Sequence, residues 1–226
     1  AVVIKNEIAR IRICKNNFDD GISSAQTEFE RIKAVLGIKG NVSLLRNDWM
    51  KQYSPFVTGI WHRKVIVPFA EYTEKELKVI LYHELTHVKK SDVFFRYLTV
   101  IAIVLNSINP ISYILWGSVL LWSEADCDAR ALDALEKEGI SKKDYYRVIW
   151  DIFESGPRGS SLLNYPMLLG ASESLVRRMD IMKKYRVNVK KMATSTAIAW
   201  ALVFAIFSSV TAHAAGIGIA EANDEL

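Results

Sequence analysis

Apolar residues recur at helical spacing from Ser23 to Leu36, and Gly37 and Gly40, on either side of Ile38, stop the run. The pattern then changes. Residues 42–45 (VSLL) and 56–68 (FVTGIWHRKVIVP) are rich in β-branched and aromatic side chains bounded by turn formers, which predicts strands, with Pro68 closing the last. A small antiparallel sheet is the economical arrangement. Thr73 followed by Glu76 has the form of a capping box, after which Leu77, Ile80, Leu81, Leu85 and Val88 fall on one face of a helix running to about Lys90. Helical patterns also cover 123–138, 141–155 (opened by Ser141) and 171–185. At the start, Val3, Ile4, Ile8 and Ile11 alternate with basic residues, giving residues 1–22 the character of an amphipathic lead-in.

Two runs break this periodicity. Residues 97–123 and 192–220 contain no Asp, Glu, Lys or Arg, and each exceeds the length at which a membrane segment is suspected. Asn106, Asn109 and Pro110 cut the first into pieces of about 12 residues, each roughly 18 Å long at the helical rise and too short to span a bilayer. A membrane hairpin over 97–122 that returns to its starting side is the expected form. Before the second run stand Arg177, Arg178, Lys183, Lys184, Arg186, Lys190 and Lys191, and after it Glu221, Asp224 and Glu225. That asymmetry predicts a transmembrane helix over 192–214 running from cytosol to exterior, with 215–226 as a short external tail and the basic flank lying on anionic lipid.

The chain has 226 residues, enough for one or two domains with an ordinary core, and a net charge of +4 too dispersed to indicate direct nucleic-acid binding. Cys14 and Cys127 do not make a disulfide framework and fit a reducing compartment. Residues 23–191 are therefore expected to form a cytosolic domain interrupted by the hairpin.

The candidate chemistry lies in the helix ending near Lys90. His83-Glu84-Leu85-Thr86-His87 is an H-E-x-x-H sequence, which arises by chance in about one of two hundred chains of this composition. Residues four apart share a helix face, so both imidazoles can ligate one zinc ion while Glu84 reaches the water that the metal activates and serves as general base. A third ligand is expected from the helix over 123–138. There Glu124 and Asp128 share a face, Glu124 as the carboxylate ligand and Asp128 as the group that accepts the outer N–H of a ligating imidazole. Asp126 and Cys127 project from other faces and are weaker candidates, Asp126 reading as a solvated carboxylate. His62 is expected to pack or hydrogen-bond within a strand. Tyr, Arg or His62 is open as an oxyanion partner. The two zinc helices can meet only if the 97–122 run turns back.

HELTHVKKSD, the apolar stretch containing Asn109-Pro110, and E-x-x-C-D at 124–128 together resemble the BlaR/MecR-type antirepressor membrane metallopeptidases; residues 55–68 match the strand pair that precedes the zinc helix in that family, and the resemblance covers roughly residues 20–215. It implies an α+β, gluzincin-like domain, mostly helical with a small antiparallel sheet, joined to an intramembrane hairpin and a transmembrane helix. It also implies His83, His87 and Glu124 as ligands of one zinc ion per chain, Glu84 as catalytic base, a bacterial cell-membrane location, and a polypeptide substrate: a cytosolic transcriptional repressor or the protein itself. A homodimer is compatible with these expectations. Only about a dozen residues follow the last apolar run, with no S-x-x-K or K-T-G sequence, so no penicillin-sensing domain is expected. The rival readings are a membrane processing or quality-control zinc protease resembling the CAAX and HtpX types, and a zinc-stapled receptor component without catalysis. Cys127 and the asparagine-proline hairpin favour the BlaR/MecR type.

Overall fold

A computed structural model of the protein describes residues 23–47, 54–68, 72–107, 109–155 and 171–184. The lead-in 1–22, the transmembrane helix expected over 192–214, the tail 215–226 and Cys14 lie outside the described residues. The elements run α1 (Ser23–Val35), β1 (Val42–Asn47), β2 (Phe56–Thr58), β3 (Arg63–Pro68), α2 (Glu74–Lys90), α3 (Asp92–Leu105), α4 (Pro110–Lys137), α5 (Lys142–Ser155) and α6 (Ala171–Lys184). The mostly helical α+β class expected from the sequence is the one observed.

The sheet differs from the expectation. Its order is β1-β3-β2, with β3 antiparallel to β2 but parallel to β1, Val42 opposite Arg63 and Asn47 opposite Pro68. A turn at 59–62 folds β2 back along β3, which lies between β2 and β1. The sheet is therefore mixed rather than antiparallel. Val65, Ile66 and Val67 of the central strand are all fully buried, the mark of a strand covered on both faces rather than one exposing alternate residues.

Helix α2 is the centre of the fold, in contact with α1, β2, β3, α3, α4 and α5. Leu81, Tyr82 and Leu85 are fully buried, and every residue from Val79 to Val88 is shielded from solvent. A single apolar face is thus too narrow a description, because neighbours enclose the helix and cover its polar residues as well. Phe29 and Ile32 of α1, Val65 and Val67 of β3, Leu132 and Leu135 of α4, and Tyr145 of α5 share that core.

The start of α2 is as read: the Thr73 hydroxyl accepts from the Glu76 N–H at 3.3 Å and the Glu76 carboxylate accepts from the Thr73 N–H at 2.8 Å. Replacing Thr73 by Ala removes the acceptor for an otherwise orphaned helix N–H. The expected loss is about 1 kcal/mol of stability, measurable by urea unfolding beside the wild type.

At its other end α2 stops abruptly. Ser91 takes a left-handed conformation (φ 57°, ψ 35°), its N–H closes on the carbonyls of His87 and Val88, and α3 begins at the next residue. A non-glycine residue held there costs about 1–2 kcal/mol, and what the corner achieves is to fold Asp92 back toward the last turn of α2. The chain then reverses again between Asn106 and Pro110, where proline occupies the first helical position, its missing N–H being one that a helix start leaves unpaired anyway. No second break follows. The apolar return arm and the helix expected to begin near 123 are one uninterrupted helix of 28 residues. Among the described residues no helix is both long and apolar enough to cross a membrane.

Candidate metal centre

Helices α2 and α4 pack side by side, and their contact brings His83, His87 and Glu124 together in the buried interior. The two imidazoles face each other with their Nε2 atoms 3.2 Å apart. One Glu124 oxygen lies 3.6 Å from His83 Nε2 and the other 3.7 Å from His87 Nε2. Glu84, the neighbour of His83, is 6% exposed.

The outer nitrogens explain why the inner ones face inward. His87 Nδ1 lies 2.7 Å from Asp92 Oδ2, the carboxylate that the Ser91 corner turns back. The same carboxylate accepts from Ser123 Oγ at 3.1 Å and from the Cys127 thiol at 3.2 Å. His83 Nδ1 lies 3.0 Å from the Tyr145 hydroxyl and 3.2 Å from Asp128 Oδ1, and that hydroxyl donates to Asp128 at 2.8 Å. With each Nδ1–H committed outward to a carboxylate network, both Nε2 lone pairs point into the same space. Two ring nitrogens 3.2 Å apart beside a carboxylate call for a proton or a metal cation between them.

The charges around the site favour a positive charge at its centre. Burial disfavours charge on His83, but hydrogen bonds to Asp128 and Glu124 outweigh it and push its pKa up to about 10. Burial likewise raises the Asp92 carboxyl, yet the hydrogen bond from His87 and the nearby Lys90 ammonium hold it at about 2. Glu124 stays well below the ordinary carboxylate range, burial being overcome by His87, His83 and Arg178. The centre is built for positive charge. Tetrahedral zinc with ligand bonds near 2.1 Å sets its donor atoms about 3.4 Å apart, and the three separations observed here bracket that value, so the residues present fit the ion. His87, Asp92 and Cys127 also converge, but there the Lys90 ammonium, 3.4 Å from Asp92 and 3.5 Å from Cys127, already supplies the cation.

Asp128 stands where helix spacing put it, on the Glu124 face beside the outer nitrogen of His83. Asp126 and His62 do not match their expectations. Asp126 is 1% exposed and paired with Lys90 at 2.9 Å and Arg130 at 3.0 Å, so it is a buried ion-pair member rather than a solvated carboxylate. Cys127, on a face turned from that of Glu124, lies 3.2 Å from the outer nitrogen of His87, and burial pushes its thiol pKa well up. His62 is exposed in the 59–62 turn instead of packing within a strand.

Two arginines complete the centre. Arg178 of α6 donates to both oxygens of Asp128, at 2.8 and 2.6 Å, and lies 3.4 Å from Glu124. Arg96 of α3 approaches Glu124 from another helix at 4.0 Å. Arg178 had been counted with the basic flank expected on lipid; it is turned into the interior instead. The signal available for it was an arginine placed within a helix of otherwise amphipathic pattern, which does not separate it from Arg177 beside it.

Comparison with known proteins decides the family. The sequence profile described as BlaR1 peptidase M56 matches residues 19–182, most of the chain and all of the centre just described. The chain belongs to the BlaR1 peptidase M56 family. It is similar to the regulatory protein BlaR1 of Bacillus licheniformis, 25% identical over 177 residues, which make up 77% of this chain and 29% of that protein. This M56 chain thus spans under a third of the length of that relative. The part matched by the family profile, 19–182, includes the H-E-x-x-H helix, the return helix carrying Glu124 and Asp128, and Arg178 on α6.

Proposed function

We propose that this M56 chain is a membrane-bound zinc metalloendopeptidase whose site is His83, His87 and Glu124 around one zinc ion, with Glu84 as base and Asp128 orienting His83. The observation that carries this reading is the pair of inward-facing Nε2 atoms beside Glu124, each imidazole locked from behind by a carboxylate. Zinc bound there supplies Lewis acidity, acidifying a water molecule and polarising the scissile carbonyl. Glu84 takes the proton as the water attacks the carbonyl carbon and passes it to the departing amine. Asp92 and Asp128 keep the two rings in the tautomer that leaves Nε2 free for metal. Among the described residues β2 is bonded on one side only, by β3, and it contacts α2, so a substrate added along its open edge would run beside the H-E-x-x-H helix.

In this reading the 97–122 hairpin is embedded in the bilayer, 192–214 crosses it, and the centre faces the cytosol within the domain 23–191. A polypeptide is the substrate, and the regulatory character of the relative supports a transcriptional repressor or the chain itself as the protein cut.

The test is elemental analysis of the detergent-purified chain together with mass spectrometry of the chain and of an added peptide library after incubation. One zinc per chain and cleavage products absent after chelation are expected. A His83→Ala, His87→Ala double variant should contain no zinc; full zinc in that variant would remove the assignment.

A further inference from the structure

The turn joining β2 to β3 is short. Gly59 has φ +83°, and a Cβ there would lie 2.2 Å from the His62 carbonyl oxygen, so the turn depends on glycine. At its head Trp61 is 82% exposed, the most exposed of the large apolar side chains described. This indole stands outside the core and outside the metal centre, and what surrounds it gives it meaning.

Arg63, two residues on from Trp61, donates to the Val88 carbonyl at 3.2 Å and to the Lys39 carbonyl at 3.1 Å. Val88 lies in the last turn of α2, just ahead of the corner at which α3 departs. The tip therefore stands at the root of the apolar hairpin. On the helix that leads into that hairpin Phe94, Ile101 and Leu105, spaced seven and four apart along one face of α3, are 43%, 52% and 56% exposed, and Ile114 of the return arm is 57% exposed. Among the described residues of 37–47 and 54–68 the charge is of one sign, with no Asp or Glu; Lys39 is exposed and Lys64 partly so, and Lys89 at the end of α2 is exposed as well. Tryptophan with lysine and arginine beside an exposed apolar surface is the composition of the bilayer interface, where indole sits at headgroup level and cations meet anionic lipid.

We propose that the 59–64 turn, headed by Trp61 and backed by Lys64, is an interfacial anchor that seats this end of the domain on an anionic lipid surface. The anchor rests on the reading of 97–122 as membrane-embedded. It fixes the height of β2, and so of the open sheet edge, above the bilayer.

The test uses the full chain in liposomes of phosphatidylcholine and phosphatidylglycerol, with and without phosphatidylcholine brominated near the headgroup. Wild type is compared with Trp61→Phe, and zinc content verifies that the variant is folded. The emission missing from the variant is the Trp61 signal. Brominated lipid should quench most of it, and Lys64→Glu should shift it to the red. Trp61 emission left unquenched while the remaining tryptophans are quenched would overturn the anchor and leave the hairpin embedded. No quenching of any tryptophan would overturn the embedded hairpin and the anchor with it.

Discussion

Glu84→Gln protein should hold as much zinc as the wild type and release no peptide products. The amide keeps the size and hydrogen-bonding shape of the side chain, so the packing of α2 around it is preserved. What it loses is the ability to accept a proton from water at the moment of attack. General-base catalysis contributes about 10²–10⁴-fold, so product formation should fall by at least that factor. Zinc content by elemental analysis and product formation by mass spectrometry separate the two consequences. Loss of zinc in this variant would make Glu84 a ligand or a structural residue, and wild-type turnover would exclude it as the base.

The second large effect is expected at Arg178. Asp128 is buried, with side-chain exposure of 3%, and its charge is balanced by a guanidinium itself only 15% exposed. Burial opposes ionisation of Asp128, and the Arg178 charge reverses that, holding its carboxyl well below the usual range. Arg178→Ala strands this carboxylate and takes the nearest cation from Glu124. Removing one member of a buried pair costs about 3–5 kcal/mol. Zinc affinity should also fall by about 10–100-fold, as for the loss of a group that orients a ligand. Arg178→Lys restores the charge without the two-pronged geometry and should recover stability more fully than affinity. A role confined to packing predicts the reverse: unchanged affinity in the folded fraction of Arg178→Ala.

Local signals explain why so much of the helical framework was legible. Thr73 with Glu76 marks a helix start through two hydrogen bonds only three residues apart, and Gly37 ends α1 in a left-handed turn (φ +66°). His83 and His87 share a face by helix geometry alone, as do Glu124 and Asp128. Pairing across the chain is a different matter. That β3 would lie parallel to β1 depends on where the link between them leads, which the alternation of side chains within a strand does not record. Residues 110–137 looked like two segments because hydropathy changes sharply near Ser123, whereas the backbone has no reason to stop there: neither glycine nor proline interrupts 118–137. Asp126 looked solvated because its partner Lys90 comes from another helix. Arg178 is fifty residues from Asp128, and nothing near it announces the carboxylate it meets.

The unbroken course of α4 makes the metal centre the far end of a lever. Glu124 stands fourteen residues beyond Pro110, about 21 Å along the axis at the helical rise. Pivoting the rod by about 5° around its apolar end would swing the Glu124 carboxylate about 1.8 Å, close to a full zinc–oxygen bond length. A working site tolerates errors of about 0.2 Å, which corresponds to an angle of only about half a degree. Alignment of that precision is beyond what Glu124 and its immediate neighbours can guarantee by themselves; it is shared with whatever grips the rod at residues 110–122, so the surroundings of those apolar side chains help to set how Glu124 meets His83 and His87.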